Sequence, residues 1–375
     1  MNILVLNAGS SSIKYQVFAM DQQQAILKGL IDRIGETGSE IPDHHAALER
    51  IALHLRTEAL PIQAIGHRVV HGGDYFQQPA LINAKVIEAI QAMIPLAPLH
   101  NPANLEGIRV AQSLFPDLPQ VAVFDTAFHQ TMPAKAYRYA IPNDLYRKHK
   151  VRRYGFHGTS HHYVAEQAAA YLEHDLHSLN LISAHLGNGC SMTAIAQGLS
   201  VDTSMGMTPL EGLVMGTRSG NIDPGLFLFL QKQLGLSAID IDTLLNKHSG
   251  LKGLCGVSDM RQIQQLAEEN HEQAQLAESL FVYHIRKYMG AYTAVLGKVD
   301  AVIFTGGIGE HSAHIREQVC HDLNVLGITL DKTRNQAKHS GIRTIHSKAS
   351  RVKVLVIPTN EELAIARYTQ KFINH

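Results

Sequence analysis

Cysteine is scarce in this sequence, with only Cys190, Cys255 and Cys320 among 375 residues. The three cysteines are far apart, odd in number and without Cys-x-x-Cys spacing. Neither a disulfide scaffold nor a cysteine-based zinc site is therefore expected. Sparse cysteine usage of this kind is typical of a reducing compartment. We predict a cytoplasmic location.

Net charge and long hydrophobic runs are also lacking. The 33 Lys and Arg residues balance 33 Asp and Glu residues, so the basic surface of a nucleic-acid-binding protein is not expected. No apolar run approaches the ~20 residues needed to cross a bilayer. The short apolar run at residues 3–6 has no basic flank, which favours a buried strand over a signal peptide. The sequence predicts neither a nucleic-acid partner nor a membrane partner.

The remaining composition is that of a globular protein. Hydrophobic residues make up 45% of the chain and charged residues 18%, which is far from the composition of disordered chains. A chain of this length exceeds one ordinary hydrophobic core, so we predict two domains. The 23 histidines are densest around His157, His161, His162 and His185. They contain no His-Glu-x-x-His motif, and a histidine-ligated transition metal is not expected.

Short glycine-containing runs with donor side chains dominate the middle of the chain. They are residues 154–161 (YGFHGTSH), 185–191 (HLGNGCS) and 216–220 (GTRSG). Glycine lets backbone N–H groups approach an anion, while His and Arg supply donors and positive charge. Each run taken alone is also compatible with an ordinary tight turn. Together they favour phosphate chemistry.

The N-terminal segment predicts a β-hairpin. Apolar residues 3–6 and alternating residues 13–18 flank a turn of small residues. Lys14 lies in the second strand, so the segment is not a P-loop, which requires the lysine to open a helix. The turn can still hold a phosphate, although a surface hairpin without a role is the alternative. Residues 179–197 repeat the pattern of strand, Gly/Asn/Ser turn and strand, which suggests a duplicated domain.

Hydrophobic periodicity and breaker residues predict the other elements. Predicted helices cover residues 46–58, 85–94, 160–173, 261–299 with breaks at Gly290 and Gly297, a stretch carrying Ile315, Val319 and Leu323, and 363–371. In the helix at 160–173, Val164, Ala168, Tyr171 and Leu172 are expected on one face. Predicted strands cover residues 64–65, 120–124, 301–304 and 352–357. Residues 95–102 are predicted to form an ordered loop, and residues 305–310 a glycine loop between a strand and a helix.

Two charged residues stand at the ends of predicted strands. Arg68 lies in an apolar strand that runs into Gly72 and Gly73, a costly position unless it pairs with an anion. A structural salt bridge is the alternative. Asp125 follows the strand at 120–124, where α/β sheets place their ligands, although it is equally compatible with a capping role.

These runs, in this order, resemble the acetate kinase family. The matching segments are residues 7–14, 66–73, 124–129, 154–161, 185–189, 216–220, 304–310 and 358–361. Propionate kinases are close relatives with nearly the same motifs. The resemblance implies an α/β protein with two duplicated ribonuclease H-like domains, the fold shared by sugar kinases, chaperones and actin. It places the active site in the interdomain cleft and implies a homodimer.

The resemblance also implies the domain boundaries and the reaction. Residues 1–130 plus 363–375 would form the N-terminal domain with a returning C-terminal helix. Residues 131–362 would form the second domain, for nucleotide binding and dimerisation. The implied reaction is reversible transfer of the γ-phosphoryl group of ATP to acetate, giving acetyl phosphate and ADP. The implied metal is Mg²⁺, with Mn²⁺ as an alternative.

Site residues follow from the resemblance position by position. Asn7 and Glu361 correspond to magnesium-site residues, and Ser10, Ser12 and Lys14 to phosphate contacts. Arg68 and Arg218 correspond to the two arginines that bind the carboxylate and the transferring phosphoryl group. His157 corresponds to the transition-state stabiliser, and Asp125 to the residue usually named as acid/base. The small apolar pocket for the acyl group corresponds to Val70, Leu99, Phe156 and Pro209. The implied nucleotide contacts are His185, Leu186, Gly187, Asn188, Gly189, Asp259, Met260, Arg261, Gly307, Ile308, Gly309, Glu310 and His311.

Two positions depart from the family pattern. Asn221 stands where Asp is common, and His311 where Asn often follows the Gly-Ile-Gly-Glu run.

Acetate has a pKa near that of Asp or Glu, about 4, so it is ionised at pH 7 and needs no general base. We therefore expect Asp125 to orient Arg68 or the metal shell. A propionate or other short-chain acid kinase is the alternative enzyme. The alternative from another class is a nucleotide-switched binding protein of the chaperone/actin type. Such a protein would need a peptide-binding domain or filament surfaces, and the motifs leave no unassigned segment large enough for a peptide-binding domain.

Overall fold

The computed structural model of the chain describes residues 1–98 and 100–374, so the acyl-pocket prediction at Leu99 lies outside the described residues. The chain divides into two compact units. The first unit comprises Met1–Gln130, Gly158–Ser160 and Asn360–His375, and the second comprises Thr131–His157 and His161–Thr359. The described residues contain no helix long and apolar enough to span a membrane.

The secondary structure alternates between short strands and helices. The strands are β1 (Asn2–Ala8), β2 (Ile13–Ala19), β3 (Gln24–Ile31), β4 (Ala64–Val69), β5 (Ala80–Leu81), β6 (Gln120–Phe124), β7 (Asn180–Leu186), β8 (Cys190–Ala196), β9 (Leu199–Thr203), β10 (Ala301–Thr305), β11 (Arg343–Thr344) and β12 (Lys353–Val356). The α-helices are α1 (His44–Thr57), α2 (Ala84–Ala92), α3 (Asn101–Leu114), α4 (Ala134–Tyr137), α5 (Asn143–His149), α6 (Gly158–Leu172), α7 (Gly225–Leu234), α8 (Ala238–Lys247), α9 (Gly250–Cys255), α10 (Met260–Glu268), α11 (Glu272–Leu296), α12 (Gly306–His311), α13 (Ala313–Cys320), α14 (Lys332–Gln336) and α15 (Glu361–Ile373). Single 3₁₀ turns lie at Ile94–Leu96, Ala127–Thr131, Leu176–Ser178 and Asn324–Leu326.

The first unit is built on a mixed six-stranded sheet in the order β3-β2-β1-β4-β6-β5. Strands β1, β2 and β3 form an antiparallel meander, whereas β4 is parallel to β1 and β6 is parallel to β4. Helices α1 and α3 pack together, and α15 packs on β1, β4 and β6. The apolar stripe of α1 and the buried side of β1 and β2 share one hydrophobic core.

The second unit repeats this topology with different residues. Its sheet has the order β11-β12-β10-β7-β8-β9, again an antiparallel meander followed by two parallel strands and a short antiparallel edge. Helix α11 packs on β7 and β8, and α12 packs on β7 and β10. The two sheets match strand for strand, which confirms the duplication and the α/β fold class.

Strongly periodic segments were predicted well. The N-terminal hairpin forms as β1 and β2 with Asn7 opposite Lys14, and β6 covers the predicted residues 120–124. The helix predicted at residues 46–58 forms as α1, and its apolar face is buried: Ala47, Leu48, Ile51, Ala52 and Leu55. Alternation and helical spacing sufficed here because each segment has one buried face.

Other helix predictions were wrong in part. Helix α6 forms, but Tyr171 is 43% exposed, because the buried face is made of Tyr163, Val164, Ala165, Ala168 and Ala169. The predicted break at Gly290 does not occur, since α11 runs through it and ends at Leu296, with Gly297 as its C-cap. Outside the helix's own backbone, a Cβ at Gly290 would have no heavy atom within 4 Å. Close packing therefore does not require glycine at this position.

The glycine run at residues 305–310 is not a loop, which corrects the prediction. It forms α12, in which Gly306 adopts φ +75° directly after β10. A Cβ on Gly306 would lie 2.8 Å from the backbone oxygen of Leu186, so this strand-to-helix turn requires glycine. The following helix α13 ends at Cys320, and Leu323 lies beyond it.

The loop predicted at residues 95–102 ends earlier than expected, because α3 begins at Asn101 with Pro102 in its first turn. Proline at this position is favourable because the first helical N–H groups have no intrahelical acceptor. The proline signal was interpreted as loop punctuation. Helix α3, strand β3 and helices α7, α8 and α9 were all absent from the sequence-based assignment.

Candidate active site

The first unit gathers polar side chains at the carboxyl ends of its parallel strands. Asn7 lies near the end of β1, Arg68 lies near the end of β4, and Asp125 follows β6. The Arg68 guanidinium donates two hydrogen bonds to Asp125, from Nη2 to Oδ2 at 2.6 Å and from Nε to Oδ1 at 3.3 Å. Its Nη1 donates to Asn7 Oδ1 at 3.2 Å. Because parallel strands end at one sheet edge, three distant motifs become one cluster.

Two carboxylates of α15 complete the charge pattern of this cluster. Glu361 Oε2 lies 4.0 Å from Arg68 Nε, and Glu362 Oε1 lies 2.5 Å from Lys14 Nζ. Burial alone would lower the pKa of the Arg68 guanidinium, but Asp125 and Glu361 raise it above its ordinary value. Burial raises the pKa of Glu361; Arg68 opposes this rise, while Glu362 adds to it. The first unit therefore concentrates negative charge around one half-buried guanidinium.

The serine turn between β1 and β2 is exposed to solvent. Ser10 is exposed and Ser12 is half-buried, and the turn is closed by a hydrogen bond from Gly9 N to Ser12 O at 2.7 Å. The predicted phosphate contacts Ser10, Ser12 and Lys14 thus lie on the hairpin that carries Asn7. Lys14 is half-exposed and already paired with Glu362.

Two buried asparagines of α3 brace this strand edge, and the sequence-based analysis missed them. Asn104 donates from Nδ2 to Ala8 O at 2.7 Å and accepts from Val70 N at 3.0 Å. Asn101 accepts from His71 N and donates to His71 O. Side-chain amides at the start of an amphipathic helix would have been the signal, had α3 been recognised.

In the second unit, a histidine cluster surrounds the start of α6. His157 precedes the helix with φ +57°, a left-handed conformation that is uncommon for a non-glycine residue and is frequent at functional sites. Its ring stacks on the ring of His185 with centroids 4.3 Å apart. Its Nδ1 lies 2.8 Å from Ser191 Oγ. Because His185 and Ser191 face each other across β7 and β8, two strands hold one imidazole.

Arg218 is the second predicted arginine, and it has a different environment. Its Nη1 donates to Pro209 O at 3.0 Å, and no Asp or Glu of the described residues forms an ion pair with it. Burial lowers the pKa of this guanidinium. A Cβ added to Gly189 would lie 3.4 Å from His157 Nε2 and 3.7 Å from Arg218 Nη1. A half-buried cation without a counter-ion favours binding of an anion.

A cavity of about 540 Å³ lies in the second unit between the segments predicted to contact nucleotide. This nucleotide cavity is lined by Gly187, Asn188, Ser258, Asp259, Met260, Arg261, Gln264, Gly307, Ile308, His311 and Ser312. Its volume falls within the range of about 300–1,000 Å³ that is typical of small-molecule sites. Ser258, Gln264 and Ser312 were missed because nothing in their local sequence distinguishes them from ordinary polar residues.

The lining of the cavity does not include the other predicted nucleotide residues: His185, Leu186, Gly189, Gly309 and Glu310. Glu310 Oε1 accepts hydrogen bonds from Gly306 N and Thr359 N, both at 3.1 Å. This carboxylate holds the turn that starts α12. Asp259 caps α10 through Arg261 N and pairs with the exposed Arg261 guanidinium, which lowers the pKa of Asp259 to about 2.

The predicted acyl-pocket residues are divided between the units. Val70 is buried in the first unit, whereas Phe156 is buried and Pro209 half-buried in the second. The departure at Asn221 is structurally occupied: its Oδ1 accepts from Gly212 N at 2.8 Å and its Nδ2 donates to Tyr288 at 2.9 Å. The other departure, His311, lines the nucleotide cavity.

The metal prediction concerns oxygen donors. Within residues 1–98 and 100–374, no group of three or more His, Cys, Asp or Glu side chains is arranged to hold a metal ion. Mg²⁺ usually binds through one or two carboxylates, with water and substrate phosphates as the other ligands. Glu361, a half-buried carboxylate beside Glu362, and the Asn7 amide oxygen fit such a partial ligand set.

Comparisons with known proteins agree along the whole chain. The model of the Acetokinase family matches residues 2–367. An acetate kinase of Sulfurovum sp. (strain NBC37-1) is 51% identical over 100% of this chain and 99% of its own length. A crystal structure of Porphyromonas gingivalis acetate kinase has a TM-score of 0.95 at 43% identity, with 99% of both chains covered. That of a propionate kinase from Francisella tularensis subsp. tularensis SCHU S4 has a TM-score of 0.94 at 48% identity, again covering 99% of both chains.

Proposed function

Since the chain belongs to the acetokinase family, we propose that it is an acetate kinase that transfers the γ-phosphoryl group of ATP to acetate, giving acetyl phosphate and ADP. The observation that carries this proposal is full-length similarity to an acetate kinase at 51% identity. The clustered donor side chains are of the kind that phosphoryl transfer requires. That reaction asks the protein mainly to align two oxygens and to neutralise charge.

In the first unit we assign carboxylate binding to Arg68. Its bidentate contact with Asp125 holds the guanidinium plane in one orientation. Asp125 is therefore assigned to positioning, which agrees with the expectation that an ionised carboxylate needs no general base. Val70, which follows β4, would pack against the methyl group of acetate.

In the second unit we assign charge neutralisation to Arg218 and His157. Arg218 has no carboxylate partner among the described residues, so its charge is available to a phosphoryl oxygen. His157 would donate a hydrogen bond to another phosphoryl oxygen in a direct in-line transfer. The nucleotide cavity would hold the adenosine portion of ATP, with Gly307 and Asn188 in its wall.

Mg²⁺ is the metal we propose, with Mn²⁺ as an alternative. Asn7 and Glu361 would hold it, and when bound it supplies positive charge to the nucleotide phosphates. Ser10, Ser12 and Lys14 would contact the same phosphates from the exposed turn. Lys14 would then exchange its contact with Glu362 for a phosphate oxygen.

Propionate kinase is the second candidate, because a solved propionate kinase is 48% identical to this chain. One methylene in an apolar pocket changes discrimination by about 1–3 kcal/mol, so the kcat/KM values for the two substrates should differ by no more than about 200-fold. The test is ATP-dependent hydroxamate formation in hydroxylamine with acetate, propionate or butyrate. We expect the highest kcat/KM with acetate. Higher kcat/KM with propionate would select the alternative, and no product with any acid would reject both.

We propose a homodimer from an exposed apolar helix face. In α7, Leu228 is 53% exposed and Phe229 is 56% exposed, and Leu230 is the buried residue. A second copy of the chain is the occupant that we propose. The double substitution of Leu228 and Phe229 by serine should shift sedimentation equilibrium from dimer to monomer, whereas Lys232→Ser on the same helix should not. A wild-type monomer would contradict the proposal.

The cytoplasmic location and the assignment of residues 131–362 to nucleotide binding and dimerisation stay proposals. All three cysteines are free in the structure, which supports a reducing compartment. The position of the nucleotide cavity and of α7 within this range supports the domain assignment.

A further inference from the structure

Four side chains of the second unit form one hydrogen-bonded row behind His157. His157 Nδ1 lies 2.8 Å from Ser191 Oγ, and Ser191 Oγ lies 2.7 Å from His161 Nε2. His161 Nδ1 in turn lies 2.9 Å from Ser183 Oγ. We call these four side chains the histidine row.

Three elements hold the row in place. His157 and His161 are one helical turn apart at the start of α6, where His161 N donates to His157 O. Ser183 lies in β7 and Ser191 in β8, paired strands of the central sheet. Ser183, Ser191 and His161 are completely buried. A buried hydroxyl hydrogen needs an acceptor.

The buried end of the row sets the direction of every hydrogen bond. A serine hydroxyl has one hydrogen, and an imidazole nitrogen without a proton accepts it. The described acceptor for Ser183 Oγ is His161 Nδ1, so that nitrogen carries no proton. The proton of neutral His161 then sits on Nε2 and is donated to Ser191 Oγ. Ser191 donates its own hydrogen to His157 Nδ1, which places the proton of neutral His157 on Nε2.

We propose that Ser183, His161 and Ser191 are positioning residues that keep His157 in the tautomer protonated at Nε2. The proposal rests on the proposed function only in giving His157 a donor role toward a phosphoryl oxygen. The Nε2 edge is the edge near Gly189, on the side of Arg218. The opposite tautomer would leave the buried Ser183 hydroxyl without an acceptor, which disfavours it by about tenfold or more.

The first test measures the tautomer directly in the wild-type protein. Nitrogen-15 NMR of histidine-labelled protein at pH 8 distinguishes a protonated nitrogen from a bare one in each ring, and a His157→Gln variant assigns the signals. We expect His157 with a protonated Nε2 and a bare Nδ1, and His161 with the same pattern. A protonated Nδ1 on His157 would overturn the proposal. This readout needs no activity, so it stands even if acetate is not the substrate.

The second test removes the end of the row. Ser183→Ala abolishes the bias, so the His157 signals should shift toward a mixture of tautomers. The kcat for acetyl phosphate formation should fall on the order of tenfold, as for other supporting contacts, while both KM values change less than twofold. Thr193→Val is the matched control, because Thr193 is a buried hydroxyl of β8 that pairs with Thr203. Its tautomers and kcat should stay unchanged.

Ser191→Ala separates positioning from packing. It cuts the row next to His157 and should lower kcat at least as much as Ser183→Ala. Ser191→Thr keeps the hydroxyl and should restore most of the kcat. An unchanged tautomer and unchanged kcat in both alanine variants would refute the proposal, as would equal losses in the Thr193→Val control.

Discussion

The two units share a sheet topology but carry opposite arrangements of charge at their functional ends. In the first unit, Arg68 is neutralised by Asp125 and approached by Glu361. In the second, Arg218 is bonded to the carbonyl oxygen of Pro209 and has no ion pair among the described residues. The same strand order therefore accompanies a compensated arginine in the first unit and, among the described residues, an uncompensated one in the second. The fold supplies positions, and the residues placed there decide what they bind.

Arg218→Ala should have the largest effect if the second unit provides the uncompensated cation. An arginine that neutralises a phosphoryl transition state contributes about 10³–10⁵ in turnover, so we expect kcat to fall about 1,000-fold or more. The hydroxamate assay measures this loss. Arg286→Ala is the control, since Arg286 bonds carbonyl oxygens at the end of α13. Unchanged activity in Arg218→Ala would remove this residue from the site.

The first unit also contains a buried histidine whose ionisation affects stability. His67 in the first unit is buried against Gln120, and its pKa is lowered from 6.5 to about 4 by burial. Between these pH values the unfolded chain binds a proton that the folded chain does not, so stability is lost as the pH falls. The shift corresponds to roughly 3 kcal/mol.

His67→Leu should remove this pH dependence. Between pH 7 and pH 4, the free energy of unfolding of the variant should improve relative to wild type by roughly 3 kcal/mol. Urea unfolding across this range measures the difference, with His45→Gln on the exposed face of α1 as the control. Parallel pH profiles of wild type and His67→Leu would contradict the prediction.

Asp125→Asn should reduce activity less than Arg218→Ala, because it loosens a guanidinium without removing one. Misplacement of a binding group costs about 10- to 100-fold in rate, and we expect a kcat/KM loss of this size for acetate, with little change in the KM for ATP. Asp117→Asn, an exposed acid of the same unit, is the control. Near-normal turnover with unchanged Mg²⁺ dependence would exclude the positioning role of Asp125.

Glu361→Gln should have the smallest effect on the protein without ligands. The raised pKa of Glu361 means that the folded state binds its proton more tightly than the unfolded state. This contribution is present at low pH and is lost as the pH rises through the folded pKa. At pH 8 without metal, the variant should match or slightly exceed the wild-type stability.

The Mg²⁺ response of the same variant sharpens the comparison. The increase in Tm that Mg²⁺ and ADP together give the wild-type protein should be reduced in Glu361→Gln, while ADP alone should act equally on both. An undiminished Mg²⁺ effect would show that the carboxylate excess of the first unit has another purpose.

Local pattern was a sufficient guide wherever one face of a segment is buried. The hairpin of β1 and β2, the strand β6 and the apolar stripe of α1 were predicted because alternation or helical spacing records burial directly. Helix α3 was missed because its proline-rich start resembles a loop, although proline is well suited to a first helical turn. The break predicted at Gly290 failed because a long, well-packed helix tolerates one glycine at a cost of about 1 kcal/mol.

The chemistry of the motifs was also predicted from local sequence. Runs such as residues 154–161 and 185–189 indicated phosphate binding through their residue types. The residues that accompany these motifs could not be predicted, because in the sequence they are ordinary polar residues. They are Ser258, Gln264 and Ser312 of the nucleotide cavity and Asn101 and Asn104 of α3.

The sequence alone determined the family, the duplicated α/β architecture and the types of side chain that meet the substrates, because motif order and apolar spacing are properties of the chain. Tertiary structure decided which charges are compensated and how protons are arranged. Arg68 acquired Asp125 and Arg218 did not, and His157 gained a row ending at Ser183. These outcomes depend on which distant segments come together in the fold and on what is buried between them. Local sequence contains no signal for such contacts.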